Sequence, residues 1–260
     1  MGKCIISGDF VDLGTITSRS EDANYPDGNV EDLWHLKRQY RANDTTTNDW
    51  LLKFDFGAAK SVVGLFLNDV NFNEVTIQGN AADAWGAPAY SSGATAISLD
   101  ERVSRYKIYL PITGFNLQWM RIFIPATAAS VGSYKDKWMV GTVVPLDSVT
   151  TLTRNINFPY QRGAEKSYED IALPHGGFER VGLGNDLKWV GEMTFGRRDE
   201  PDEAELWTVN RYNIENPLII YENLGDNSKA YLCLRDDDYR GELVASGVVV
   251  GNTIKFKELI

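Results

Sequence analysis

The stretch "NDWLLKFDFGAAKSVVGLFL", Asn48 to Leu67, decides the fold. In its first half Leu52, Phe54 and Phe56 alternate with Leu51, Lys53 and Asp55. That period of two is the signature of a strand with one apolar face. In its second half, "VVGLFL" (residues 62–67) is apolar at both parities, so this strand is expected to be central in a sheet. Working outward, "NDVNFN" turns the chain, and "EVTIQGN" continues with Val75 and Ile77 on one face. "RYKIYLPI" and "LQWMRIFIP" read as two further strands, with Pro111 and Pro125 at strand ends, where a missing donor does least harm.

The same character continues after "GTVVPLDSV". "LKWVGEMTFGRR", "PLIIYE", "KAYLCLR", "ELVASGVVV" and "TIKFKELI" all read as strands, and Gly251-Asn252 suggests a tight hairpin between the last two. A single helix is expected near 201–214. Pro201 suits its first turn, Asp202, Glu203 and Glu205 suit the positive end of its dipole, and Leu206, Trp207 and Tyr212 form its apolar stripe. The expected class is mainly β, in two β-rich domains. Residues 1–142 form a β-sandwich, and residues 143–260 form a second sandwich or barrel carrying the helix. No repeat of fixed period is visible, which argues against a solenoid or propeller.

Composition narrows the function. The 260 residues carry 26 Lys and Arg against 36 Asp and Glu, a formal charge of −10. A surface so acidic repels phosphate backbones, so nucleic acid is not an expected partner. No apolar run is long enough to span a membrane, and "MGKCIISGDF" does not read as a secretory signal. The expectation is a chain made and kept in a cytoplasm unless a larger assembly carries it out. The two cysteines, Cys4 and Cys233, are too few for a disulfide scaffold and too far apart for a thiolate metal site, and both are read as reduced.

Catalytic residue sets are sparse. Only two histidines occur: His35 in "DLWHLKRQY" reads as packing or capping, and His175 in "LPHGGF" as part of a turn. Neither a nucleophile elbow nor a phosphate-binding Gly-Lys-Ser/Thr is present, and "GLGND" (182–186) lacks the lysine that a phosphate loop needs. The densest acidic run is "RDDDYRG", Arg235 to Gly241. On a strand, Asp236 and Asp238 would share a face, where they could hold Ca²⁺ or act as the carboxylate pair of a glycoside hydrolase. The competing reading is a solvated loop neutralised by Arg235 and Arg240. Aromatic loops offer sugar-stacking candidates instead: Trp85 and Tyr90 in "NAADAWGAPAYSSG", and a rim of Tyr25, Asp27 and Asn29 in "SEDANYPDGNVEDLWHL".

On these residues the first half resembles the discoidin-like (coagulation factor 5/8 type C) family. "WLLKFDFGAAKSVVGLFL" resembles that family's central strands, "VTIQGN…AW" its strand, loop and Trp, and "FNLQWMRIFIP" its last main strand. Trp50, Asp55, Gly57, Trp85, Trp119 and Arg121 fall on the motif, and the likeness covers roughly residues 25–127. It implies an eight-stranded jelly-roll sandwich that binds sugars, lipids or proteins through loops at one end. It also implies a closing disulfide in extracellular members, which Cys4 and Cys233 cannot make within one domain. The second half resembles, in layout, the C-terminal part of tailed-phage tail proteins.

Together these resemblances imply a non-enzymatic structural component of a phage or prophage particle. It would be made in the host bacterial cytoplasm, located in the virion, and partnered by copies of itself and neighbouring particle proteins. The alternative is a carbohydrate-binding module that recognises a cell-surface glycan. A glycoside hydrolase is the third reading. No cofactor is expected apart from the Ca²⁺ considered at Asp236 and Asp238.

Overall fold

The computed structural model describes residues 4–33, 38–132, 135–153, 161–172, 178–194, 198–207, 210, 216–222, 225–246 and 248–259. The protein is mainly β, as the alternation predicts. Its strands are β1 (Ile5–Ser7), β2 (Thr15–Ser18), β3 (Tyr40–Arg41), β4 (Asp49–Val70), β5 (Glu74–Asn80), β6 (Tyr90–Ser91), β7 (Thr95–Ala96), β8 (Ser98–Asp100), β9 (Arg105–Ile124) and β10 (Met139–Leu146). They continue as β11 (Thr150–Thr151), β12 (Gln161–Ala172), β13 (Phe178–Thr194), β14 (Arg198–Asp199), β15 (Leu218–Tyr221), β16 (Ala230–Arg235), β17 (Gly241–Ala245), β18 (Val248–Gly251) and β19 (Thr253–Glu258). The described helices are a 3₁₀ turn over Asp27–Glu31 and α1 over Glu200–Trp207.

The backbone of the sandwich is one long ribbon. β4 and β9 run antiparallel from Asp49 opposite Ile124 to Leu67 opposite Ile108, with the register broken between Asp55 and Lys60. Gly57 supplies a left-handed φ of 72° at that break, a conformation that costs glycine little. Asp55 accepts a hydrogen bond from the Gly57 amide at 2.9 Å and another from the Gln118 side chain at 2.8 Å. The "DFG" motif is therefore a capped bend. On the near side of the bend β2 flanks β4, and β5 and β6 extend the sheet beyond β9. On the far side β10 flanks β4 with β3 beyond it, and β8 flanks β9. Leu52, Phe54, Ile77, Met120 and Ile122 from the near part share one core with Leu65, Leu67, Ile108, Leu110 and Val143 from the far part. The two ends of a single bent ribbon thus face each other as a β-sandwich.

"RYKIYLPI" and "LQWMRIFIP" are therefore one strand rather than two. Pro111 lies inside β9 opposite Gly64, beside a register shift between Val62 and Gly64. The ladder is already broken there, so the missing donor is tolerated. Pro125 directly follows β9, as expected.

"VVGLFL" is apolar on both faces because it lies between two layers. Leu65 and Leu67 face the sandwich core, while Phe66 packs with Tyr109, Val144, Ile219, Tyr221, Ala230 and Leu232. The last four come from a seven-stranded sheet in the order β11-β1-β15-β16-β19-β13-β12. Its opposite face buries Trp189, Met193, Leu218, Tyr231, Ile254 and Phe256 together with Leu206 of α1. The expected division at 142/143 falls inside β10, which stays paired with β4 as far as Leu146. Strand β1, from the start of the chain, belongs to the second sheet, with Ile6 opposite Ile220. Cys4 and Cys233 are both buried thiols in the core of that sheet.

Two local expectations are corrected. Gly251-Asn252 is a corner rather than a hairpin, since β18 pairs with β14 and β17 while β19 pairs with β13 and β16. The Asn252 amide donates to the Arg240 carbonyl at 3.0 Å, and its side chain accepts from the Arg240 amide at 2.9 Å. These bonds turn the chain from one sheet to the next. The described helix spans Glu200–Trp207, and Trp207 is 49% exposed instead of joining Leu206 in a buried stripe. Its ring stands edge-on to Tyr239 at 5.5 Å. Tyr212 lies outside the described residues.

A buried charge network joins the two sheets. Lys107 on β9 is fully buried. Its ammonium lies 3.2 Å from Asp100 and 3.3 Å from Glu258, and 3.6 Å over the Tyr231 ring. Asp100 also accepts from Lys229 at 2.6 Å and from the Tyr231 hydroxyl at 2.8 Å. Glu258 accepts from Arg105 at 3.1 Å and from the Trp189 amide at 2.9 Å. Arg102 adds an ion pair to Glu222 at 3.0 Å.

Removing one member leaves its partners charged and buried. Asp100→Ala is expected to cost about 3–5 kcal/mol in urea denaturation. Burial pushes the Asp100 carboxyl up, but Lys107, Lys229 and Tyr231 outweigh it and hold it below the usual carboxylate value. Its stabilisation is therefore complete above an unfolded pKa of about 3.9 and is lost as pH falls through the lower folded value. The acid limb of the stability curve should be shallower in Asp100→Asn than in the wild type. A separate test concerns packing under β6: a Cβ on Gly79 would meet the Phe115 ring at 2.3 Å. Gly79→Ala should cost about 1–3 kcal/mol by the same assay.

Candidate functional site

Alternation sends every second residue of the near sheet outward, and there the outward residues form an aromatic and charged patch. Trp50, Lys53 and Asp55 of β4 lie opposite Phe123, Arg121 and Trp119 of β9. Arg121 and Trp119 in turn lie opposite Gln78 and Asn80 of β5. Trp50, Trp119 and Phe123 are each only partly buried.

The loop between β5 and β6 folds back over this face. The Asn80 side chain donates to the Ala84 carbonyl and so tightens the turn. Asp83 receives the Lys53 ammonium at 2.9 and 3.0 Å. The Trp85 indole N–H donates to Asp83 as well. Trp85 thereby lies with its ring over the Arg121 guanidinium, 4.4 Å from the ring centre, and Phe123 lies 5.3 Å from the same guanidinium. Lys53 in turn sits 4.5 Å over the Trp50 ring. Hydrogen bonds from Lys53 and then Trp85 hold the Asp83 carboxyl below its ordinary value. Burial lowers the Arg121 pKa, against the pull of Asp49 and Asp83. Polar donors and acceptors are thus fixed between half-buried aromatic rings, an arrangement suited to a ligand with both an apolar face and hydroxyl or charged edges.

The sequence candidates separate. Trp85 is at the centre of the patch. Tyr90 is not: on β6 it lies opposite Gly79 of β5, and its ring packs edge-on against the core residue Phe115 at 5.5 Å. Burial raises its phenol pKa. Tyr25, Asp27 and Asn29 lie near β3, at the opposite edge of the sheet. There Arg41 covers the Tyr25 ring at 3.8 Å, the Asp27 amide donates to Glu21 at 3.1 Å, and the Asn29 side chain donates to the Gln39 carbonyl at 3.0 Å. These contacts strap that segment to its neighbours, and the structure does not bring it to Trp85.

Asp236 and Asp238 do not share a strand face, because β16 ends at Arg235. Asp236 accepts from the Lys255 amide at 2.8 Å, and Asp238 pairs with Arg235. Among the described residues no group of three or more His, Cys, Asp or Glu is arranged to hold a metal ion. His35 and His175 lie outside the described residues, and "GLGND" falls within β13. A separate hollow of about 560 Å³ lies beside β13 and β19. Two of its three lysines, Lys255 and Lys257, are occupied by Glu192 at 3.0 Å and Glu165 at 3.6 Å. Lys53, Gln78, Asp83 and Phe123 escaped the sequence reading. For Lys53, Gln78 and Phe123 the signal was a polar or aromatic residue at the outward parity of an otherwise apolar strand; Asp83 lies in the loop after β5, where parity carries no signal.

No family model matches the chain, and no curated protein matches it. Among solved structures, it is similar to CBM32-1 from a family 31 glycoside hydrolase of Clostridium perfringens, at 9% identity and a TM-score of 0.40, over 53% of this chain and 96% of that one. It is also similar to chitosan-binding module 1 of a chitosanase/glucanase from Paenibacillus sp. IK-5, at 14% identity and a TM-score of 0.37, over 52% and 96% of the two chains. A third is the lectin domain of lectinolysin complexed with Lewis B antigen, at 13% identity and a TM-score of 0.34, over 52% and 93%. None of these likenesses extends to a phage tail protein.

The Asp83 contact is open to direct test. The Trp85 indole N–H resonance should titrate with a midpoint below about 3.9, the value of an ordinary aspartate, and should become flat in Asp83→Asn.

Proposed function

We propose that this chain is a non-catalytic carbohydrate-binding protein, and that the outer face of the near sheet is its binding surface. The observation that carries the reading is the contiguous set of Trp50, Lys53, Gln78 and Arg121 on one sheet face, joined by Asp83 and Trp85 of the loop that folds over it. A pyranose presents an apolar face of C–H groups and a rim of hydroxyls. Partly exposed indoles accept the first, and the Asp, Gln and Arg groups accept or donate to the second. The platform is assembled before any ligand arrives, which reduces the entropy lost on binding. The carboxylates Asp236 and Asp238, the pair considered for hydrolysis, are engaged in a loop elsewhere.

A second reading, a self-associating particle component, has one observation in its favour. All five residues of β17 are exposed, Leu243 to 65%, and β17 is the outer strand of its three-stranded sheet among the described residues. Such an edge is open to another strand.

Binding to an immobilised glycan panel decides the first reading. Wild-type protein should retain a subset of glycans, and Trp85→Ala should weaken that binding by about tenfold or more, one to three kcal/mol being the usual worth of an aromatic contact. Unchanged binding in Trp85→Ala would move the site away from this face.

A further inference from the structure

We infer that the ligand of this face is an acidic sugar, one carrying a carboxylate, and that Arg121 receives that group; the inference rests on the carbohydrate-binding reading above. Arg121 is only 8% exposed, yet among the described residues it has no ion pair. Its guanidinium makes one hydrogen bond, from Nε to the Gln78 side-chain oxygen at 2.6 Å. The two terminal amino groups have no protein acceptor among the described residues, although neither is sealed from solvent. A buried guanidinium ordinarily has a carboxylate beside it, because desolvating a cation without a partner is costly.

The nearby carboxylates are already engaged. Asp83 is held by Lys53 and the Trp85 indole. Asp49 lies 3.7 Å from Arg19 and accepts from the Trp50 amide at 2.8 Å. The rings of Trp85 and Phe123 fix the orientation of the guanidinium plane without neutralising it. Asp55 accepts from the Gly57 amide and the Gln118 side chain, and Lys53 pairs with Asp83, so Arg121 is the cation of this face without an ion pair among the described residues.

The free fork of an arginine matches the two oxygens of a carboxylate, which it takes in a paired, charge-assisted geometry. A sugar ring whose carboxylate meets Arg121 would place its C–H face within reach of the surrounding indoles. The chemistry is that of a uronic or similar sugar acid. Neutral sugars would leave the cation unpartnered.

The test compares an α-1,4-linked galacturonate trisaccharide with its methyl ester, which keeps the ring and removes the charge. A panel of sialylated, glucuronate-bearing and neutral glycans is measured alongside. At least one acidic glycan is expected to bind about tenfold or more tightly than its esterified form, as one charged hydrogen-bonded contact would give. The preference should fall with added salt and vanish in Arg121→Gln. Arg121→Lys, which keeps the charge and loses the fork, should retain only part of it. Should Arg121→Gln fail to fold, the wild type still decides: the Arg121 Nε–H resonance must shift with the acid and not with the ester. Neutral glycans bound as tightly as acidic ones would overturn the acidic preference and leave the carbohydrate reading standing. No binding by any glycan, with the Arg121 resonance unmoved, would overturn both.

Discussion

The structure depends on one constraint, the burial of the Lys107 ammonium. A cation with no access to water persists only where anions surround it. Asp100 comes from the strand beside β9, and Glu258 from the last strand of the second sheet. Asp100 reaches Lys107 within its own sheet, because β8 pairs with β9, but Glu258 reaches it only if β19 lies against the far part of the sandwich. That requirement places Phe66, Tyr109 and Val144 over Ile219, Tyr221 and Leu232, and apolar burial then completes what the charges specify. Apolar surfaces alone tolerate sliding. A network in which the Lys107, Arg105, Lys229 and Tyr231 donors must each find an acceptor tolerates much less.

The same constraint decides which surface remains for ligands. The far layer of the sandwich is covered on both faces, once by its own core and once by the second sheet. The near layer is covered on one face only. Its outward residues are therefore the ones able to meet a partner, and they include the aromatic and basic residues around Trp85. The bend at Gly57 is what separates the two layers, so a feature of backbone geometry also sets the position of the binding face.

The candidate site was partly legible before the structure. Trp85 stood out as an aromatic in a loop, whereas Arg121 was visible only as a position of the discoidin-like motif. Their contact could not be read, since it depends on a loop folding back through Asp83 and Lys53, residues thirty positions apart. Tyr90 looked equivalent to Trp85 in the sequence. Its ring packs instead against Phe115, a residue of the sandwich core. Asp236 and Asp238 looked like a pair because alternation was extended past Arg235. The strand stops there, and Arg235, Lys255 and Asn252 take up the loop's polar groups.

The sequence by itself determined the local order: strand character in both halves, the centrality of residues 62–67, and the turn before β5. These follow from the period of side chains along an extended backbone, which is a property of neighbours in the chain. Tertiary structure alone decided that β4 and β9 form one bent ribbon, that the first strand pairs with the second sheet, and that Gly251-Asn252 is a corner between sheets. It also decided that Arg121 is buried with no ion pair among the described residues. Each of these depends on groups far apart in the chain meeting in space, and no local pattern encodes which distant strand supplies the partner.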